Sequence, residues 1–155
     1  MPKIKKSLPA LLLIIFLLIP LAMLLFAPVY NDSMAKKIAD DLAALPLPSD
    51  TILLEQTSLA GKLVGEGNGM QYFGAILIQS SLPQGALQAH YAPFAPNNWS
   101  CQVAPQTSSS LSLLEHARLS FKTPINPGDT GGNYYIVYTW GDNPTIFHEL
   151  DLRGH

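Results

Sequence analysis

Cysteine is almost absent from this chain. Cys101 stands alone among 155 residues, so no intramolecular disulfide can form and the fold must rest on its apolar core. The expected role of that thiol is a small buried apolar group. Charge is scarce as well, at 13 % of residues against about 25 % in ordinary globular domains. The deficit is uneven: the twenty-two residues from Leu8 to Val29, LPALLLIIFLLIPLAMLLFAPV, carry no charge at all. Beyond them basic residues run short, six Lys and Arg against eleven Asp and Glu over residues 31–155, a formal charge of −5. Such a segment repels phosphate backbones, which argues against nucleic acid and anionic head groups as partners.

Motifs of nucleotide and acyl chemistry are missing too. The cluster Gly61, Gly65, Gly67, Gly69 has no Gly-Lys-Ser/Thr after it, carries Glu66 where a phosphate would be repelled, and leads into a strand rather than a helix N-terminus. It reads as a hairpin turn that uses positive φ. No Gly-x-Ser-x-Gly elbow occurs.

The uncharged run is the dominant feature that is present. At about 1.5 Å per residue it covers about 33 Å as a helix, enough for a hydrocarbon core of about 30 Å. It is longer than the apolar core of an export signal, about 7 to 15 residues, and it continues through Pro20, which membrane helices tolerate. A retained signal-anchor is the expectation, with cleavage near Ala35, in Ser33-Met34-Ala35, as the competing reading. Lys3, Lys5 and Lys6 precede the run and Lys36 and Lys37 follow it, which favours a cytoplasmic N-terminus. The expected organisation is a basic cytoplasmic head (1–7), a single-pass transmembrane helix (8–30) and an extracytoplasmic domain (31–155) in the cell membrane.

Periodicity within residues 31–155 predicts an α+β fold. Asn31-Asp32-Ser33 offers N-caps for an amphipathic helix in which Met34, Ile38 and Leu42 recur, with Lys36–Asp40 and Lys37–Asp41 as i,i+4 pairs, stopped by Pro46 and Pro48. Strands are expected at 51–59, reaching Leu63-Val64, and at 70–80, the latter apolar on both faces and so central. A short helix follows Ser81 and Pro83 through Leu87 and Tyr91, ended by Pro93 and Pro96. Further strands are expected at 99–103, 118–123, 133–140 and near 145–152, with a Ser-rich loop at 106–112, a Pro- and Gly-rich one at 124–132 and a turn at 141–144. Together these give a mainly antiparallel sheet with two helices packed on one face.

Chemistry is thinly signalled. His148 to His155 lacks the second His four residues on that a zinc-protease helix needs, because position 152 is Leu. On a strand, His148, Leu150 and Leu152 would share one face and leave Glu149, Asp151 and Arg153 as an exposed row. The adjacent pair Glu115-His116 points apart on any regular element. His90, His116, His148 and His155 show no ligand spacing, so no metal, no cofactor and no catalytic residue is expected. Asn31-Asp32-Ser33 and Asn98-Trp99-Ser100 match the glycosylation sequon. Aromatic residues are the remaining binding candidates: Tyr134, Tyr138 and Trp140 line one face of the 133–140 strand with Ile136, and Tyr135, Val137 and Thr139 line the other. Should the helices cover only one side, the opposite face would offer an apolar and aromatic surface to a partner.

Leu45-Pro46-Leu47-Pro48 before a strand, a glycine turn, Tyr72 to Ile78 followed by Ser80, a helix ending in His90-Tyr91, and then Asn98-Trp99 resemble the pattern of small uncharacterised bacterial membrane-anchored proteins. The resemblance covers most of residues 34–140 and implies an exported α-β-β-α-β-β unit. Its positions are packing positions and carry no activity. The expected function is therefore a non-enzymatic, membrane-tethered extracytoplasmic domain that binds an envelope protein or an extracellular ligand, with the lipid bilayer itself as partner of residues 8–30. Two alternatives stand beside it: a small subunit of a larger membrane complex assembled through the transmembrane helix, and a small envelope enzyme with an acid/His site.

Overall fold

A single helix, α1 (Leu8–Ala43), carries the chain from the uncharged run straight into the folded domain. The computed structural model describes residues 8–94, 99–126, 132–141 and 145–155; the basic head and most of the 141–144 turn lie outside that set. The amphipathic helix expected to begin after Asn31-Asp32-Ser33 is thus the second half of one continuous helix. The capping side chains are engaged elsewhere: Ser33 Oγ donates back to the Tyr30 carbonyl at 2.7 Å, and the Asn31 amide is spent on tertiary bonds. Residues 11–22 and 24–26 stand exposed, and the helix is long and apolar enough to cross a membrane. From Ala27 onward the helix packs, burying Ala35, Ile38 and Leu42, while Lys36–Asp40 and Lys37–Asp41 pair at 2.6 Å on its open side.

The fold is α+β. Strands β1 (Thr51–Gly61), β2 (Gln71–Ser80), β3 (Gln102–Pro105) and β4 (Asn133–Gly141) form one open antiparallel sheet in the order β1-β2-β4-β3. The strand apolar on both faces, β2, is central. Its hairpin with β1 turns through Gly65 at φ +79° and Gly69 at φ +150°, conformations open to glycine. Helix α2 (Gln84–Tyr91) joins α1 on one face, where Ile38, Leu42, Leu87 and Tyr91 meet Tyr72, Ile76, Ile78, Tyr135 and Val137. At Gly74 the approach is so close that a Cβ would lie 2.6 Å from Ile38 Cγ2 and 2.7 Å from the Ala39 nitrogen.

Among the described residues, no helix covers the second face. Its residues Phe73, Ala75, Leu77 and Ile136 are covered by the 106–126 connection through Leu111, Leu114 and Phe121. The strand expected at 118–123 belongs to this cover and is reduced to an isolated bridge between Ser110 and Ser120, although Leu119 and Phe121 do point inward. Glu55 holds the end of the cover against the outer strand, accepting from the amides of Lys122 and Thr123 at 3.0 and 2.8 Å beside a β-bulge between Leu53 and Glu55. The third strand begins at Gln102, later than expected, with Cys101 buried just before it.

The strand expected near 145–152 is a helix, α3 (Ile146–Leu150), followed by a 3₁₀ turn (Leu152–Gly154). Local caps decide this: Thr145 Oγ1 accepts from the His148 amide and Asp151 Oδ1 from the Arg153 amide. The exposed row of charges expected there does not form. Asp151 is buried, Glu149 is exposed, and Leu152 points to solvent at 80 % exposure.

Candidate functional site

Two side-chain constellations stand out, one polar and one aromatic. The polar one knots α1, β2 and the C-terminal turn. Asn31, fully buried, donates through Nδ2 to Asp151 Oδ2 at 2.9 Å and to the Phe147 carbonyl at 3.0 Å, and accepts from the Tyr72 hydroxyl at 2.8 Å. Arg153 grips Asp151 at 2.7 Å, Asp32 at 2.8 Å and the Pro28 carbonyl at 3.1 Å. Burial pushes the Asp151 carboxyl up, but the bonds from Arg153 and Asn31 outweigh it and hold it below its ordinary value. Burial also pushes the Tyr72 phenol up to about 12, so it remains a hydrogen-bond donor. Every strong partner here is internal, so the knot is structural. It also removes Asn31 from reach as a glycosylation acceptor.

The aromatic constellation lies at the end of β4. Tyr138 and Trp140 sit edge-on with ring centroids 5.9 Å apart, both over Phe73. Trp99, from the approach to β3, lies against the backbone of Gly141 so closely that a Cβ there would overlap the indole. Two adjoining depressions share Trp99 and Trp140: one of about 370 Å³ with Val64, Gln71 and Gly141, and one of about 520 Å³ with Ser100, Gln102, Tyr138 and Thr139. Among the described residues, no charged side chain lines either depression. Of the residues singled out in sequence, Tyr138 and Trp140 are brought together. Tyr134 shares their face but sits at the far end of the strand, opposite Gln79, packed under the 106–126 cover. Trp99 was legible only as a packing residue. Its place beside Trp140 follows from β3 pairing with β4, which no local signal announces.

The histidines serve the turns. Glu115 Oε2 accepts from the Gly65 amide at 2.8 Å and His116 Nε2 lies 2.8 Å from the Gly65 carbonyl, so the pair that points apart in sequence clasps the glycine turn together. His148 is buried; its Nε2 accepts from the Met70 amide at 3.1 Å, which assigns the proton to Nδ1. It borders a depression of about 370 Å³ formed with residues of the 64–71 turn, and Glu149 Oε1 lies 3.9 Å from Nε2. With its lone pair committed to Met70, this imidazole has no acceptor left for a substrate proton. Among the described residues, no three His, Cys, Asp or Glu side chains gather as metal ligands. No family model, curated protein or solved structure matches the chain.

Proposed function

We propose that the protein is a single-pass, membrane-tethered binding module, with a cytoplasmic N-terminus and an extracytoplasmic domain that engages an envelope protein or extracellular ligand through the Trp99–Tyr138–Trp140 groove. The observation that carries this reading is the groove itself: half-buried Trp99, Tyr138 and Trp140 with amide and hydroxyl neighbours and, among the described residues, no charge, at the end of β4 beside the approach to β3. Aromatic side chains are the commonest anchors of binding surfaces because they give large contact area at low entropic cost. The groove's position supports a partner held near the bilayer, since Gly141 pairs with Tyr72 and Tyr72 bonds to Asn31, only a few residues past the apolar run.

Retention of the anchor is supported by Asn31 and Ala35. Cleavage after Ala35 would remove the centre of the polar knot and start the chain inside the buried stripe of α1. Three lysines before the run support the orientation, and the resemblance to bacterial anchored proteins supports an envelope setting.

A photo-crosslinking residue at Tyr138 in intact cells tests the function, with the same residue at exposed Leu47 as control. Capture of one defined species from Tyr138 and not from Leu47 is expected. Labelling no greater than at Leu47 would overturn the binding reading. Replacing residues 11–25 with an unrelated apolar helix should leave capture intact; its loss would favour a subunit that assembles through its transmembrane helix.

A further inference from the structure

Counting back from the polar knot, the twenty residues from Leu11 to Tyr30 rise about 30 Å, one hydrocarbon thickness, so Phe26 to Tyr30 mark the level at which α1 would leave the bilayer. At that level α1 has company. The Phe147 ring of α3 lies 5.5 Å from Phe26 and 4.7 Å from Tyr30, centroid to centroid, and Arg153 Nη2 bonds to the Pro28 carbonyl. The C-terminal elements are therefore fixed beside the helix at the height of the interface, where aromatic rings concentrate in membrane proteins.

Exposure points the same way. Among described residues beyond 30, the two most exposed large apolar side chains are Leu152 at 80 % and Ile146 at 59 %, and both belong to this segment. Both flank a region whose charges are already paired, because Arg153 is held by Asp32 and Asp151. Glu149 is the exposed acid on α3, and with the domain's negative charge it favours a zwitterionic surface over an anionic one.

We infer that α3 and the 3₁₀ turn form a foot that inserts Ile146 and Leu152 into the lipid leaflet beside the exit of α1. The occupant of this apolar patch is zwitterionic phospholipid at the boundary between head group and acyl chain. Two points of attachment, helix and foot, then set the angle of the sheet to the bilayer and the height of the aromatic groove above it. This inference rests on the reading of α1 as a membrane span.

The test uses full-length protein in phosphatidylcholine vesicles, with Cys101→Ala and a single environment-sensitive fluorophore on Cys at 146, 152, 17 or 47. Lipids carrying a spin label near the head-group end of the acyl chain should quench the probes at 146 and 152 and shift their emission to the blue. Lipids labelled near the chain's methyl end should quench position 17, and position 47 should respond to neither. A probe at 17 that is not quenched would refute the span reading. Quenching at 17 with probes at 146 and 152 that behave like the one at 47 would overturn the foot alone. Both side chains point out of the domain, so labelling there leaves its packing unchanged, and circular dichroism of each labelled protein checks this.

Discussion

Asn31 Nδ2 donates to Asp151 Oδ2 across 2.9 Å, joining the exit of the apolar helix to the C-terminal turn. Through the same amide α1 reaches β2, by way of the Tyr72 hydroxyl. Substituting Asn31→Leu strands the Tyr72 hydroxyl and one Asp151 acceptor in a buried site, at a cost of about 1–3 kcal/mol. Denaturant unfolding in detergent should show this as a lower midpoint with an unchanged slope. An unchanged midpoint would mean that the knot contributes nothing.

The same knot makes part of the acid stability depend on Asp151, beside Glu55, whose carboxyl the amides of Lys122 and Thr123 also hold below its ordinary value. Because the folded-state pKa of Asp151 lies below its unfolded value, the unfolded chain binds the proton more readily. The stabilisation is present above about pH 4 and is lost as pH falls through the lowered native pKa. Proteolysis near residue 150 should accelerate in that window, and Asp151→Asn should flatten the dependence by removing the titrating group. A variant with the parent's pH profile would assign the effect to another acid.

Gly74 tests the seat of α1. A Cβ there would overlap Ile38 and the Ala39 backbone, and backbone cannot step aside as a flexible side chain can. Gly74→Ala should cost about 1–3 kcal/mol by levering the helix off the sheet. Hydrogen exchange should quicken in 35–43 and in β2 while the 106–126 cover keeps its protection.

Tyr91 separates packing from hydrogen bonding. The ring is fully buried, yet its hydroxyl has no partner among the described residues, and burial pushes its pKa up to about 12. Tyr91→Ala should destabilise by about 3–5 kcal/mol, as large aromatic truncations in a core do. Tyr91→Phe should leave thermal stability unchanged or raise it, because it removes an unsatisfied group without opening a cavity. Trp99→Ala, half-buried against Gly141, should cost less than Tyr91→Ala and should abolish crosslinking from Tyr138.

Elements whose side-chain pattern is local were legible in the chain. The apolar run, the i,i+4 pairs of α1, the glycine turn, the central strand and β4 all follow from spacing, and the structure has each of them. The alternation at 145–152 fits a strand, but Thr145 and Asp151 cap a helix and a 3₁₀ turn there, and these local hydrogen bonds outweigh the pattern. At 118–123 the alternation puts Leu119 and Phe121 inward, but the segment lies over the sheet face and forms the isolated Ser110–Ser120 bridge instead of joining the sheet.

The sequence by itself determined that this protein has one long uncharged run, an acidic α+β domain and no intramolecular disulfide, because hydropathy, charge and cysteine count act residue by residue. Only the tertiary structure decided that Asn31 meets Asp151, that Trp99 stands beside Trp140, and that Phe147 packs against Phe26 and Tyr30 of α1. Those relationships depend on which strands pair and which segments cover which face. Contacts between residues far apart in the chain leave no periodic trace in it.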